Sequence, residues 1–193
     1  MHRIEFFTYP SNAPATGSPL VGVRVDGTDL RTYAADATFE LRLRERGADG
    51  DGDDAEDPDF ADPQHNGLSL EELGDLARHF HGDPVAEFTE MGDTPVLGCL
   101  CGVWACWPLL AVISLAPDTV TWSGFRQPHR EEWGELPLGP YVFPRAAYDA
   151  ALSAPERCAE DPLGDVHDSA VTGGGGAADD EPGADDGSTG PAR

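Results

Sequence analysis

Three cysteines and one histidine are the residues of this sequence whose types and spacing are best suited to chemistry. Cys99, Cys101, Cys106 and His129 all lie between residues 96 and 130. Three thiolates and one imidazole form a sound tetrahedral ligand set for Zn²⁺, and glycines beside the first two cysteines would let the backbone fold tightly around an ion. The spacing Cys-x-Cys is less typical of zinc sites than Cys-x-x-Cys. The pattern predicts a structural zinc site formed by these four residues.

The same cysteines have other interpretations. Free cysteine is among the most buried residue types, so these can be buried thiols in an apolar stretch. A disulfide is disfavoured, because a bridge between cysteines two residues apart is strained. Cys101 or Cys106 could be a catalytic nucleophile with His129 as its base, but the sequence identifies neither an orienting carboxylate nor an oxyanion site.

A β-hairpin is predicted to bring the cysteines and the histidine together. Residues 109–115 are apolar enough for a buried strand, residues 116–118 are typical of a turn, and residues 119–125 alternate like a second strand. The loop before the first strand contains the cysteines, and the loop after the second contains His129. Because antiparallel partners begin and end together, both loops are expected at the same end of the hairpin.

A second polar cluster follows the hairpin. Gln127, His129 and Arg130, with Trp133 nearby, interrupt an otherwise apolar region. One interpretation is a hydrogen-bonded loop histidine beside an arginine that pairs with a neighbouring acid. The other is a role in ligand binding or recognition.

The remaining pattern predicts an α+β fold, in which a small antiparallel sheet with this central hairpin packs against two or three helices. Helices are expected over residues 29–44, with Thr28 as the N-cap, and over residues 69–81, with a capping box at Ser69 and Glu72. His79 and His81 in the second helix are not expected to be ligands, because side chains two apart on a helix diverge. Further strands are predicted at residues 3–9, 20–25 and 141–143, and a last helix at residues 144–152.

The acidic residues define the domain organisation. The net charge is -24, and residues 45–63 and 154–193 contain nine and ten of the 36 acidic residues respectively. Segments so polar and so rich in glycine and proline cannot bury a core. We therefore expect one domain over residues 1–154, with a disordered acidic insertion at residues 46–66 and a disordered acidic tail at residues 155–193.

Charge and composition exclude several function classes. An acidic chain is repelled by nucleic-acid phosphates and by anionic membrane surfaces, so a protein partner, and a basic one in particular, fits better. All 12 basic residues are arginine. Without lysine the chain can form neither a Schiff base nor a Walker A phosphate loop. No apolar run is long enough for a signal peptide or a spanning helix, which predicts a cytoplasmic protein with reduced thiols.

The motifs of the central stretch resemble a family of small acidic proteins from high-GC bacteria. The pattern G-C-x-C-G-x-x-x-C-W-P-L occurs at residues 98–109, and T-W-S-x-F-x-Q-P-H-R occurs at residues 121–130. The resemblance extends mainly over residues 96–152. It implies that Cys101, Cys106 and His129 act as a unit, and it implies no activity or substrate.

These observations predict a non-catalytic, zinc-stabilised cytoplasmic module that acts through protein contacts. One alternative is an acidic inhibitor or immunity-type protein that neutralises a basic partner, which the net charge would attract quickly. Another alternative is a thiol-dependent enzyme that uses Cys101 or Cys106.

Overall fold

Two β-sheets and four helices form the part of the chain that the computed structural model describes, which comprises residues 1–11, 17–49, 64–85, 88 and 92–164. One sheet is mixed and the other is antiparallel, and each contains five strands among the described residues. The predicted α+β class is confirmed.

The first sheet is organised around a long antiparallel pair, β1 (Ile4–Tyr9) and β2 (Leu20–Val25). Both predicted strands are confirmed. The other edge of β2 pairs with two short strands, β3 (Thr28–Asp29) and β5 (Leu68–Ser69). A tight turn joins β2 to β3, and Asp26 and Gly27 both have the positive φ that such a hairpin turn requires.

The second sheet has the strand order β4, β6, β7, β8, β9. Its centre is the predicted hairpin, which is confirmed as β7 (Leu109–Leu115) and β8 (Thr119–Arg126). The predicted short strand is present as β9 (Tyr141–Pro144) beside β8. On the other side, β6 (Thr94–Cys99) pairs with β7, and β4 (His65–Asn66) pairs with β6.

The helices α1 (Leu30–Asp49), α2 (Leu70–Leu73), α3 (Leu76–Phe80) and α4 (Arg145–Ser153) pack on these sheets around one apolar core. Trp122 of β8 is fully buried at its centre. The indole Nε1 of Trp122 donates a hydrogen bond to the hydroxyl of Tyr148, which in turn donates to the carbonyl of Phe80. Within the described ranges no helix has both the length and the apolar character that crossing a membrane needs.

Two helix predictions differ from the structure in detail. The segment predicted as one helix over residues 69–81 forms two short ones, because Gly74 has φ 63° and Asp75 begins a new helix by accepting a hydrogen bond from the backbone N–H of Arg78 at 2.9 Å. The first helix is capped by Asp29, whose Oδ1 accepts from the backbone N–H of Arg31 at 2.9 Å. The predicted cap, Thr28, lies in β3 instead.

The boundaries of the predicted acidic insertion also differ from the structure. Residues 46–49 continue α1, and His65 and Asn66 form β4. The predicted insertion therefore begins and ends in regular structure. Its central part, residues 50–63, lies outside the described residues.

The fold continues beyond Ala154, where the sequence placed the start of the tail. Residues 156 and 157 form β10 (Glu156–Arg157), a strand parallel to β1. Further along, the carboxylate of Asp161 accepts two hydrogen bonds from the fully buried guanidinium of Arg31, at 2.7 and 2.8 Å. Residues 155–164 are thus part of the domain, because a buried cation needs anions beside it. Residues 165–193 of the predicted tail lie outside the described part of the chain.

Candidate metal centre

The site begins at the end of β6, where the strand delivers Cys99 to the edge of the second sheet. Leu97 pairs with Leu109 of β7 on one side, and Cys99 pairs with His65 of β4 on the other. The pairing fixes the position of the Cys99 backbone before the chain leaves the sheet.

A tight turn then reverses the chain and brings in the second cysteine. The backbone N–H of Gly102 donates to the carbonyl of Cys99 at 3.1 Å, and Gly102 has φ 86°, a conformation that favours glycine. Cys101 therefore lies at the corner of this turn, exposed to solvent.

A short 3-10 turn, Trp104–Cys106, returns the chain over β6 and brings in the third cysteine. Gly98 permits this approach, because a Cβ at that position would lie 3.4 Å from the Cα of Trp104 and 3.3 Å from the carbonyl oxygen of Gly67. The ring of Trp104 packs on Phe88, with 4.3 Å between the ring centroids. This contact anchors the turn that presents Cys106.

The sulfur atoms of Cys99, Cys101 and Cys106 all lie within 4.8 Å of one another. Three sulfurs around a tetrahedral zinc ion, each about 2.3 Å from it, are separated by roughly 3.7 Å. A contraction of about 1 Å or less would therefore bring these thiols to ligand geometry. The structure confirms the coarser part of the prediction, a cysteine triad that could hold a metal ion.

Two of the thiols, those of Cys99 and Cys101, have pKa values shifted in opposite directions. Burial raises the pKa of Cys99 to about 12. The pKa of Cys101 is lowered, first by a hydrogen bond from the backbone N–H of Val103 and then by the thiols of Cys99 and Cys106. A thiolate is the form that binds metal, so Cys101 is the natural first ligand and the half-buried Cys99 would ionise as the ion arrives.

His129 lies beside the triad but outside the group of three. Its Nε2 is 2.8 Å from the carbonyl oxygen of Ala105, the residue before Cys106. A carbonyl only accepts hydrogen bonds, so Nε2 must carry the proton, which leaves Nδ1 as the nitrogen that could ligate. The prediction that His129 binds the metal is neither confirmed nor contradicted by this arrangement.

The geometry offers little support for thiol catalysis with His129 as the base. Among the hydrogen bonds of the described residues, no carboxylate orients the imidazole of His129. The ring nitrogen that is fixed by the fold faces a backbone carbonyl and not a thiol. A catalytic base needs a proton-accepting nitrogen directed at its nucleophile.

The second polar cluster supports the loop that contains His129. Gln127 is buried, and its side-chain oxygen accepts a hydrogen bond from the backbone N–H of His129 at 2.9 Å. The guanidinium of Arg130 lies over the ring of Trp107 at 4.9 Å and forms an ion pair with Glu45 of α1 at 2.8 Å. Arg130 is therefore bound within the fold, which favours the first of its two interpretations.

Sequence reasoning missed His65, the residue opposite Cys99. It is 2 % exposed, and within the described part of the chain neither of its ring nitrogens has a hydrogen-bond partner. Burial, and then the charge of Arg42 on α1, lower its pKa to about 3, so the imidazole is neutral. His65 lies at the end of the predicted acidic insertion, in a segment without apolar periodicity, and only the strand pairing reveals its position.

A hydrogen-bond network holds the strand that contains His65. The hydroxyl of Tyr9 donates to the side-chain oxygen of Asn66 at 2.7 Å and accepts from the backbone N–H of Gly67 at 2.8 Å. The same hydroxyl accepts from the guanidinium of Arg31 at 3.1 Å. The backbone beside His65 is thus fixed independently of any metal.

The other two histidines weighed from the sequence are bound elsewhere. Nε2 of His79 lies 2.7 Å from the carbonyl oxygen of Pro95, and Nε2 of His81 lies 2.9 Å from the carboxylate of Asp149. The group of possible metal ligands found among the described residues contains no histidine, so His79 and His81 are set apart from His65 by these hydrogen bonds and not by the group itself.

Comparison of the chain with protein-family models, with curated proteins and with solved structures gave no match. The family resemblance seen in residues 96–152 therefore stays a prediction.

Proposed function

We propose that the protein is a non-catalytic cytoplasmic module whose cysteine triad binds Zn²⁺ and thereby stabilises the fold. The observation that carries this proposal is the mutual approach of the sulfur atoms of Cys99, Cys101 and Cys106 within 4.8 Å. Three thiolates suit Zn²⁺, and a site closed by a fourth protein ligand is structural. The sequence predicts His129 as that fourth ligand.

A bound metal ion would crosslink and stabilise the loop between β6 and β7, which presents the cysteines. Between β6 and β7, backbone hydrogen bonds from Gly102 to Cys99 and from Cys106 to Val103 close two tight turns. Val103 at the tip is 52 % exposed, so the loop buries little apolar surface of its own there. A metal ion would join the end of β6 to the following turn at three points, which supplies the stability that burial does not.

Metal content and its effect on unfolding test this proposal. We expect purified, untagged protein to bind one zinc ion per chain and to lose stability when a chelator removes it. Free zinc at about a thousand times its dissociation constant would stabilise the folded state by about 4 kcal/mol.

Two matched variants locate the site. Cys101→Ser should abolish the effect of the chelator. Cys158→Ser should preserve it, because that cysteine packs against the separate cluster of Phe7, Tyr9 and Leu20. A wild-type protein that binds no zinc, and unfolds identically with and without chelator, would refute the proposal.

A basic protein partner is the second part of the proposal. The net charge of -24 favours fast encounter with a cationic surface. Exposed Val103 lies at the tip of the cysteine loop, and the exposed Glu131 and Glu132 belong to the loop that follows β8. An apolar tip and nearby carboxylates suit a partner that combines apolar and basic residues.

A pull-down comparison tests this part. Full-length protein and a variant that lacks residues 50–63 and 165–193 should retain the same basic partners if the contact is made by the described surface. If only the full-length protein retains the basic partners, the acidic segments themselves attract them. That result would favour the interpretation as an acidic inhibitor.

A further inference from the structure

The strand pairing places a second histidine next to the cysteine triad. His65 of β4 and Cys99 of β6 are direct partners in an antiparallel ladder. Side chains of directly opposed residues lie on the same face of a sheet, with Cβ atoms about 4.5–5.5 Å apart. The imidazole and the thiol therefore project from neighbouring positions to the same side, as two ligands of one ion must.

Burial leaves the ring of His65 with unmet hydrogen-bonding capacity. The residue is 2 % exposed, and both Nδ1 and Nε2 lack a hydrogen-bond partner among the residues that the structure describes. Buried polar atoms are nearly always paired, and His79, which is equally buried, bonds to the carbonyl of Pro95. An imidazole with two unpaired nitrogens opposite Cys99 indicates that one nitrogen has a ligand to bind. The nitrogens of His65 lie outside the group of three sulfurs that approach within 4.8 Å, so the imidazole must move toward them when the ion binds.

His129 differs from His65 in both its burial and its hydrogen bonding. Its side chain is exposed, and its Nε2 is satisfied by the carbonyl of Ala105. That bond ties the loop after β8 to the turn that presents Cys106. His129 therefore has a sufficient role in positioning the turn without contacting the metal.

The charge near His65 fits a zinc–thiolate centre. Zn²⁺ with three thiolates and one neutral imidazole has a net charge of minus one. Arg42 of α1 is largely buried, and its positive charge acts on His65. A cation at this position would stabilise the anionic centre within the protein.

We propose that His65 is the fourth zinc ligand, with Cys99, Cys101 and Cys106, and that His129 is a positioning residue. This inference rests on the proposed zinc site. It differs from the prediction from sequence only in the identity of the histidine.

Two variants of matched design test the inference, His65→Leu and His129→Leu. Zinc affinity is measured by competition with a chromogenic chelator, and Co²⁺ absorption spectra report the ligand set. We expect His65→Leu to lower zinc affinity by at least roughly tenfold and to alter the Co²⁺ spectrum. His129→Leu should retain the wild-type Co²⁺ spectrum.

Stability without metal separates a ligand from a structural histidine. Because the imidazole of His65 makes no hydrogen bond to the described residues, His65→Leu with chelator present should unfold at the same urea concentration as the wild type or at a higher one. A metal-free variant that is clearly less stable than the wild type would mean that His65 supports the fold itself, which would overturn the inference.

Long-range ¹H–¹⁵N spectra of histidine ring nitrogens in the wild type remove any dependence on variant folding. On zinc addition, one His65 nitrogen should move to the position of a metal-bound imidazole. A shift at His129, or at no histidine, while zinc still binds would overturn the assignment of His65 and leave the cysteine site intact. Absence of zinc binding by the wild type would overturn both proposals.

Discussion

Replacing Asp161 with asparagine should destabilise the protein by about 3 kcal/mol, because it removes one of two carboxylates from a buried guanidinium. The Arg31 side chain is 1 % exposed. Asp161 binds it through both carboxylate oxygens, at 2.7 and 2.8 Å, and Asp29 binds it from the other side at 2.9 and 3.0 Å.

The magnitude follows from what remains after the substitution. Removing one partner of a buried ion pair costs about 3–5 kcal/mol, because the other charge is left uncompensated. Asp29 still neutralises Arg31 in the variant, and the Asp161 side chain is 11 % exposed, so water can approach the vacated position. We therefore expect a loss at the lower end of this range.

Urea unfolding monitored by tryptophan fluorescence measures the effect, with Asp83→Asn as the control. Asp83 also forms an ion pair with an arginine, Arg78, at 2.7 Å, but both side chains are largely exposed. The control should show no measurable change, since exposed ion pairs contribute little. A loss below about 1 kcal/mol for Asp161→Asn would show that the Arg31–Asp161 pair contributes no more than such surface ion pairs, and would refute its role in holding the segment after β10 on the domain.

Three further predictions concern other parts of the fold. Burial lowers the pKa of His79 to about 4, so in chelator its contribution to stability should fall by about 3 kcal/mol between pH 6.5 and pH 4, beside a similar loss from His65, and His79→Gln should reduce the pH dependence by its own share. A titration with the same slope in both proteins would contradict this. Gly98→Ala should weaken zinc binding by crowding the returning backbone, whereas Gly47→Ala, which meets nothing within 4 Å, should leave binding unchanged. Equal affinities in both variants would show that the close approach at Gly98 is not needed. Tyr148→Phe should cost about 2 kcal/mol in urea unfolding because it leaves the buried indole N–H of Trp122 unpaired, and a neutral effect would argue against that bond.

Patterns of local periodicity predicted much of the fold. The hairpin at residues 109–126 was predictable because an apolar run, a proline-containing turn and an alternating strand follow one another in sequence. The helix break at Gly74 was not predicted, because an isolated glycine is tolerated within many helices. The cap formed by Asp29 was also missed, since Thr28 and Asp29 are both good caps and only strand pairing with Val25 assigns Thr28 elsewhere.

The role of the last described segment could not be read from its composition. Residues 155–164 are as acidic and proline-containing as the rest of the predicted tail. What makes them part of the domain is a cation, Arg31, that lies 130 residues away in sequence from Asp161. An ion pair between residues so distant in sequence leaves no local pattern.

For the candidate site, the sequence by itself determined the cysteine triad. Cys99, Cys101 and Cys106 lie within eight consecutive residues that two glycines allow to fold tightly, so their convergence is a local property of the chain. The histidine ligand could not be determined in this way, because both candidates, His65 and His129, reach the triad through contacts between segments that are distant in sequence. Only the tertiary structure placed His65 opposite Cys99 and gave His129 a backbone partner, since register and burial are decided by strands that are distant in sequence.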